Sequence, residues 1–377
     1  MRHFGSLLTL LAVLLTVGCS GGQRREPAEL PNFDSTIGLK KVWRTSLGNP
    51  EGSTLTPAVS GDRVCGASAH IVACFDIDTG KEIFERKTSQ KITGGVGSSE
   101  GEVFFVGEDG LVTLLDSSGL VVWETNLSNS GMGAPLAVDD KIFARDVQGK
   151  LVGLDRQTGE TEWDFMAPSQ SLTLRSNPGL AQGFGGSIIA GFHGGVAMNL
   201  TSDSGEVRWK INVSIPSGEN ELERLSDVVG TPLVLGDTVC MAAFQGRLGC
   251  YQLDSGRLNW SFKVSAVGSL GFDQDDVFVA DEFGDVVALD GKTGAVIWRN
   301  NSFKFRRLTG PTVFGRWVLV GDVDGMVLMI DAKDGSLVGT VKTDGSPILV
   351  NPLVTDNKVI IQTSKGNLYA FVLDQDF

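Results

Sequence analysis

The feature that most constrains the fold is a short phrase that recurs along nearly the whole chain. Its clearest copy, GDVVALDGKTGAVIW at residues 284–298, alternates apolar side chains up to Asp290, turns through Gly294 and ends a second apolar run on Trp298. A period of two is typical of a β-strand, and Asp and Gly favour a tight turn. The phrase therefore predicts a strand, a turn and a second strand that ends in a bulky aromatic side chain.

The spacing of the copies predicts the architecture. Seven copies have a turn glycine, with spacings of 39, 40, 46, 51, 38 and 41 residues, and an eighth copy begins at Lys365. A period near 40 residues is typical of a four-stranded propeller blade. The turn glycines are Gly80, Gly119, Gly159, Gly205, Gly256, Gly294 and Gly335.

The two ends of the chain predict how the ring closes. The eighth copy lacks its last strand, whereas residues 40–47 form an unattached strand that contains Trp43. Pairing the two would complete the last blade and remove exposed sheet edges. We therefore predict an all-β fold over residues 35–377, an eight-bladed β-propeller of four-stranded antiparallel blades, with the ring closed by the N-terminal strand in the last blade.

The N-terminus has the pattern of an exported lipoprotein. Residues 1–18 are a predicted signal peptide, too short to span a bilayer as a helix. The sequence TVGC, which ends at Cys19, resembles a bacterial lipobox and implies lipidation of Cys19. Because Ser20 is not aspartate, the resemblance implies the periplasmic face of the outer membrane, with residues 19–34 as a flexible tether. A plain signal peptide that contains a cysteine is the alternative.

Charge and composition exclude some partners. The chain has 45 acidic and 32 basic residues, for a net charge of −13. Such a balance argues against nucleic acid and against an anionic membrane surface as polyvalent partners. No metal site is predicted, because there is no CxxC motif and His70 and His193 lie in separate predicted turns.

Four cysteines form two pairs, Cys65/Cys74 and Cys240/Cys250, each of which flanks a predicted hairpin turn. In an oxidising periplasm each pair could form a cross-strand disulfide. The alternative is four buried, small apolar thiols. We favour this alternative, because a hairpin disulfide requires the two residues to lie directly opposite each other.

The repeated residues are interpreted as scaffold. Six of the seven tryptophans end a copy of the phrase, where a ring can pack between adjacent blades. The recurring Asp and Gly are explained by turn formation, and Trp317, at the start of another strand, is also expected to pack. Function is therefore expected where the repeat is broken.

Two connections break the repeat. From the blade-end position to the next proline the separation is 12 to 14 residues in four blades, but 15 from Trp163 to Pro178 and 23 from Trp209 to Pro232. The two connections follow consecutive blades, and each joins the last strand of one blade to the first strand of the next. They must therefore emerge side by side on one rim.

The content of these connections is typical of a protein interface. The first contains SLTLR at residues 171–175, and the second contains ENELERLSD at residues 219–227. Apolar side chains and arginine on adjacent loops of a rigid scaffold suit partner binding. The alternative is that the leucines cover the propeller core.

The repeat resembles the PQQ-like repeat of quinoprotein dehydrogenases over nearly the whole mature chain. This resemblance implies an eight-bladed propeller and would allow a PQQ-dependent oxidoreductase with quinone and calcium near the axis. The chain is shorter than typical enzymes of that family, lacks an adjacent cysteine pair and has no assignable Glu, Asn and Asp cluster for calcium. The fold alone does not establish the activity.

The lipobox, the single propeller, LTLRS and ERLSD before a Thr-Pro strand are together similar to the BamB family of outer-membrane assembly factors. This resemblance implies a non-enzymatic scaffold without a cofactor. Such a scaffold binds the POTRA domains of BamA, and through BamA the other Bam components, and assists insertion of β-barrel proteins. Direct binding of unfolded outer-membrane proteins or peptidoglycan stays open as an added role. The implied BamA-binding residues are Leu172, Leu174, Arg175 and Asp227, and Val229 replaces a second family aspartate.

Overall fold

The structure, a computed structural model, describes residues 26–167, 178–215, 219 and 226–374. Within these residues, 32 strands form eight antiparallel sheets of four strands each. The sheets are the blades of an eight-bladed β-propeller, which confirms the predicted fold class. The predicted signal peptide and Cys19 lie outside the described residues.

Strand β1 (Leu39–Ser46) belongs to the last blade, and the first four blades follow it in chain order. Their strands, named A to D from the axis outward, are β2 (Ala58–Ser60), β3 (Arg63–Ala67), β4 (Ile71–Asp76) and β5 (Glu82–Lys87) in blade 1; β6 (Ile92–Ser99), β7 (Glu102–Gly107), β8 (Leu111–Leu115) and β9 (Val121–Asn126) in blade 2; β10 (Leu136–Val138), β11 (Lys141–Arg145), β12 (Lys150–Asp155) and β13 (Thr161–Met166) in blade 3; and β14 (Leu180–Gln182), β15 (Ile188–Gly191), β16 (Val196–Leu200) and β17 (Val207–Asn212) in blade 4.

The second half of the ring repeats this order. Its strands are β18 (Val228–Leu235), β19 (Thr238–Ala243), β20 (Gly246–Gln252) and β21 (Leu258–Val264) in blade 5; β22 (Gly271–Asp273), β23 (Asp276–Ala280), β24 (Val286–Asp290) and β25 (Val296–Asn300) in blade 6; β26 (Thr312–Phe314), β27 (Trp317–Gly321), β28 (Met326–Asp331) and β29 (Leu337–Lys342) in blade 7; and β30 (Leu353–Val354), β31 (Val359–Gln362), β32 (Asn367–Leu373) and β1 in blade 8. Blade 4 also has two short 3-10 turns, Phe184–Gly186 and His193–Gly195.

The core lies between the blades. Strands B and C are buried on both faces, and their alternation divides each strand between two neighbours. In β19, Val239 and Met241 pack toward blade 4, whereas Cys240 and Ala242 pack toward blade 6. The described residues form eight such apolar clusters, each shared by two adjacent blades. Each blade therefore depends on both neighbours for its burial.

The blade-end aromatic ring lies over the turn between strands C and D of the next blade. A Cβ built at Gly159, whose φ is +74°, would lie 2.5 Å from Trp123 Cδ2. Trp123 Nε1 also donates to the Arg156 carbonyl oxygen at 2.9 Å. The same ring-on-glycine contact pairs Trp43 with Gly80, Phe84 with Gly119, Trp163 with Gly205, Trp209 with Gly256, Trp260 with Gly294 and Trp298 with Gly335. These contacts confirm that the tryptophans pack between blades.

The predicted closure of the ring is confirmed. Strand β1 pairs antiparallel with β32 from Leu39 opposite Leu373 to Ser46 opposite Asn367, with one irregularity between Lys41 and Trp43. The N-terminal strand is therefore strand D of blade 8. Trp317 packs against the cluster between blades 7 and 8, as expected.

The described part of the predicted tether, residues 26–34, contacts the propeller. Leu30 and Phe33 pack against the apolar cluster between blades 6 and 7. The Ala28 amide donates to the Lys304 carbonyl oxygen at 2.9 Å. Because two apolar side chains and the backbone have partners on the propeller, this stretch follows its surface.

The interpretation of the four cysteines as free thiols is wrong. Cys65 lies directly opposite Cys74, Cys240 lies directly opposite Cys250, and the structure joins each pair in a disulfide. Both bonds link strands B and C of one blade, where all four side chains are fully buried. The sequence predicted the hairpins, but the register that places each pair face to face comes from packing in the blade.

We expect deletion of residues 35–47 to destabilise the whole domain. The deletion leaves β32 with an unpaired edge and removes the Trp43 ring from Gly80. Loss of a buried tryptophan alone costs about 3–5 kcal/mol, and each kcal/mol lowers the melting temperature of a large domain by roughly 2–4 °C. Circular dichroism should show a melting temperature at least about 10 °C lower, whereas deletion of residues 20–25 should leave it unchanged. An unchanged value for the longer deletion would contradict the closure.

A pair of glycine substitutions tests the contact between blades. Gly159→Ala should lower the free energy of unfolding by about 3 kcal/mol, since the left-handed backbone and the clash with Trp123 both contribute. Gly61 also has a positive φ, of +60°, but a Cβ there meets nothing within 4 Å. Gly61→Ala should therefore cost only about 1–2 kcal/mol. Urea unfolding followed by tryptophan fluorescence measures both, and equal losses would show that the ring contact is not tight.

Candidate partner-binding rim

The two long connections both join strand D of one blade to strand A of the next. The first runs from β13 to β14, and the second runs from β17 to β18. Of the predicted site residues, Leu172, Leu174 and Arg175 lie outside the described residues, whereas Asp227 lies within them. The described residues at the bases of the connections define the site geometry.

Arg145 brings the ends of the two connections together. It is the last residue of β11 in blade 3, and its guanidinium reaches across to blade 4. Nη2 donates to the carbonyl oxygen of Pro178, which follows the first connection, and Nη1 donates to the Gly191 oxygen at 2.7 Å. Gly191 in turn packs against Val228, the first residue after the second connection. The described ends of the two connections therefore lie next to each other on one rim, as predicted.

The Arg145 guanidinium is a buried positive charge beneath this rim. Arg145 is only 3% exposed, and within the described ranges it has no carboxylate partner. Burial lowers the pKa of its guanidinium to about 10, so it remains protonated at neutral pH. Within the described residues, the acceptors that hold this buried charge are two carbonyl oxygens.

Asp227 fastens the second connection to blade 4. Its side chain is 2% exposed, and Oδ2 lies 3.1 Å from Nδ1 of His193. Oδ1 accepts a hydrogen bond from the Gly194 amide at 2.9 Å. His193 and Gly194 belong to the turn between strands B and C of blade 4. The Asp227 carboxylate thus orders the end of the connection from below the surface.

The turn that Asp227 holds lacks an acidic residue of its own. In blades 3, 6 and 7 the corresponding turn begins with an aspartate that accepts amide hydrogen bonds from its own turn. Blade 4 has Phe192 at that position, and the carboxylate comes instead from the neighbouring connection. The three aspartates are Asp146, Asp281 and Asp322.

Val229, which replaces the second family aspartate, is 6% exposed and belongs to the apolar cluster between blades 5 and 6. A carboxylate at this position would have to leave that cluster or be buried within it. In this chain the position therefore contributes to the core and supplies no charge to the rim.

Two exposed apolar side chains at this rim were missed by the sequence reasoning. Met166, which ends β13, is 54% exposed, and Ile215, just beyond β17, is 71% exposed. They begin the first and the second connection, respectively. A departure from the repeat could have revealed Met166, because the residue three positions after the blade-end position is polar in the other seven copies. Those residues are Ser46, Lys87, Asn126, Asn212, Lys263, Asn301 and Lys342.

The axis of the propeller holds a cavity of about 640 Å³, lined by the starts of the A strands. Among the described residues that line it, Arg307 is the only charged one. Calcium prefers six to eight oxygen ligands that include carboxylates. These lining residues therefore do not fit the calcium ion of a quinoprotein site. Across the described part of the chain, no three His, Cys, Asp or Glu side chains are grouped to hold a metal ion.

Comparison with known proteins identifies the family. The family model described as outer membrane protein assembly factor BamB matches residues 68–300 and 282–376. The chain belongs to the BamB family. It is 32% identical over 374 residues to outer membrane protein assembly factor BamB of Burkholderia pseudomallei, covering 98% of each chain. It is 29% identical over 385 residues to that of Yersinia pestis, covering 97% of this chain and 98% of the relative.

Solved structures agree with this assignment. The crystal structure of BamB from Moraxella catarrhalis superposes with a TM-score of 0.82 at 26% identity, covering 89% of this chain and 99% of the other. Quinohemoprotein alcohol dehydrogenase from Comamonas testosteroni gives a TM-score of 0.69 at 14% identity, covering 91% of this chain and 78% of the other. The second match shows a common fold alone. No helix in the described ranges is long and apolar enough to cross a membrane.

We expect Asp227→Ala to loosen the end of the second connection and to lower the free energy of unfolding by about 1–3 kcal/mol, because the partly buried Gly194 amide loses its acceptor. Asp203, in the turn between strands C and D of the same blade, is exposed. Asp203→Ala should therefore change stability by less than about 0.5 kcal/mol. Urea unfolding and hydrogen exchange at Gly194 provide the measurements. Unchanged protection of Gly194 in Asp227→Ala would contradict the role given to the carboxylate.

Proposed function

We propose that the protein is a non-enzymatic scaffold of the outer-membrane β-barrel assembly machinery. It binds the POTRA domains of BamA through the two long connections, contacts the other Bam components through BamA, and assists insertion of outer-membrane β-barrel proteins. The protein is located at the periplasmic face of the outer membrane, where a lipid on Cys19 anchors it. Membership of the BamB family supports this role.

The observation that carries the proposal is the adjacency of the two connections over blade 4. Arg145 and Asp227 hold the described ends of the two connections in place. Exposed Met166 and Ile215 place apolar surface at the start of each loop. Apolar side chains on a rigid base bind a partner with little loss of conformational entropy. No other pair of connections in the repeat combines extra length with apolar content.

Each predicted site residue has a distinct role in this interface. Leu172 and Leu174 are the apolar anchors, which typically supply most of the binding energy at the centre of an interface. Arg175 donates hydrogen bonds to carboxylate or carbonyl oxygens of BamA. Asp227 acts from below the surface by ordering the second connection.

The alternative, a PQQ-dependent oxidoreductase, has little support from the axial cavity. Its described lining offers no carboxylate to a calcium ion. The similarity to quinohemoprotein alcohol dehydrogenase is at the level of the fold. We therefore assign the protein no cofactor and no catalytic residue.

Arg175→Glu is the sharpest test of the proposed interface. The reversed charge should weaken binding to purified POTRA domains by at least about 2 kcal/mol, or roughly 30-fold, because a central arginine becomes repulsive to its acceptor. Isothermal titration calorimetry measures the affinity, and co-purification from detergent-solubilised envelope gives a second readout.

Arg208→Glu is the matched control. Arg208 is exposed on the outer strand of blade 4, where it donates to the Phe184 carbonyl oxygen at 3.1 Å. The control makes the same charge change away from the rim and should bind POTRA domains like the parent. Parental affinity in Arg175→Glu, or an equal loss in both variants, would count against this site.

A further inference from the structure

Residues 26–38 are here called the strap. The N-terminal end of the strap is held by the connection between blades 6 and 7. The Ala28 amide donates to the Lys304 carbonyl oxygen at 2.9 Å, and Arg306 Nη1 donates to the Ala28 oxygen at 2.6 Å. Lys304 and Arg306 lie between β25 and β26, in a connection from strand D to strand A. The strap therefore begins on the rim that carries the two long connections, two to three blades further round the ring.

Arg306 is a rigid attachment point. It is only 5% exposed, and its Nε donates to Asp322 Oδ2 at 2.8 Å. Its Nη2 donates to Asp324 Oδ2 at 2.9 Å. Two carboxylates thus fix the guanidinium, and charge-assisted bonds of this kind are short and directional. The carbonyl of Ala28 is bound by a group that is itself held in place.

From Ala28 the strap runs along the outer surface of blade 7 toward the opposite rim. Leu30 and Phe33 pack against the cluster between blades 6 and 7. Further along, the Thr36 amide donates to the Val338 oxygen on β29 at 2.9 Å, and the Gly38 oxygen accepts from the Asp374 amide at 2.9 Å. The strap thus ends on the opposite rim, where β1 begins.

Gly339 shows that the fold makes room for the strap. Gly339 takes the blade-end position that an aromatic ring occupies in the other seven blades, and a Cβ there would lie 2.4 Å from the Ile37 carbonyl oxygen. Blade 8 has no turn between strands C and D, because β1 supplies its last strand. The strap backbone occupies the place where a ring would otherwise cover that turn.

We infer that the strap sets which rim of the propeller faces the lipid surface. This inference rests on the proposed lipid anchor at Cys19. Without the strap, the anchor would be attached to the opposite rim at Leu39, twenty residues away, with a reach of roughly 70 Å. Bound to Arg306, the chain reaches the lipid from Ala28, nine residues away, within about 30 Å. The strap therefore keeps the rim with the long connections near the bilayer.

Energy transfer on vesicles tests this orientation. The lipidated full-length protein is inserted into phosphatidylethanolamine and phosphatidylglycerol vesicles that contain a headgroup-labelled acceptor. The donor dye is placed at Lys304→Cys on the strap rim or at Asp275→Cys on the opposite rim of blade 6, both exposed positions. The two rims are separated by roughly 20–25 Å of strand, so transfer should be at least about twofold more efficient from Lys304→Cys. Equal efficiency from the two positions would overturn the inference.

Two insertions of equal length separate a bound strap from a free tether. Ten Gly-Ser residues inserted after Gly22 raise the root-mean-square length of the free chain between Cys19 and Ala28 from roughly 17 Å to roughly 24 Å and should lower transfer at Lys304→Cys. The same ten residues between Asp34 and Ser35, which are exposed, should leave transfer unchanged, because Ala28 stays bound. An equal response to both insertions, whether a fall or no change, would overturn the role of the strap.

Further measurements keep this inference distinct from the proposed function. Cys19→Ala should abolish vesicle flotation, and continued flotation would overturn the anchor on which the inference rests. Binding of POTRA domains is measured in detergent, where membrane orientation has no effect. Suppose that energy transfer on vesicles is more efficient from Lys304→Cys than from Asp275→Cys, and that Arg175→Glu binds POTRA domains with unchanged affinity. This combination would refute the proposed BamA site and would still support the inference about the strap.

Discussion

The contact on which the rest of the structure depends is an aromatic ring lying flat on a glycine turn of the next blade. Because glycine has no side chain, the ring approaches the backbone closely, and the tryptophan N–H pairs with a carbonyl oxygen of that same blade, as Trp298 does with Ala332 at 2.7 Å. Seven junctions repeat this contact. It fixes the spacing and angle between blades, so the ring closes with little freedom. The junction after blade 7 is the exception, and there the strap fills the space beside Gly339.

Because the repeated contacts are explained by packing, we expect the functional residues at the positions where the chain departs from the repeat. The described ends of the two long connections are held by Arg145 and Asp227. Arg145 places a buried positive charge under the rim, and Asp227 replaces the aspartate that the turn of blade 4 lacks. These polar groups, which would be costly to bury alone, thus bind the described ends of the two connections.

Much of the fold could be predicted from the sequence, because the evidence is local and repeated. The alternation up to Asp290, the turn at Gly294 and the period near 40 residues all lie within short windows. For the site, the spacing predicted two abnormal connections, and the family resemblance implied Leu172, Leu174, Arg175 and Asp227, of which Asp227 alone lies within the described residues. The exposure of Ile215 and the bridge made by Arg145 depend on which blades are neighbours in space. The cysteine interpretation failed for a related reason, since a spacing of 9 or 10 residues does not set the register.

The sequence by itself determined the number of blades, the partner strands that close the ring and the two places where the repeat breaks. These follow from periodicity, which each copy specifies through its own backbone and side chains. Only the tertiary structure decided that Asp227 lies beneath the rim, that Cys65 faces Cys74 and that residues 26–38 follow blade 7. Each of these depends on contacts between residues distant in sequence, and their geometry exists only once neighbouring blades have packed.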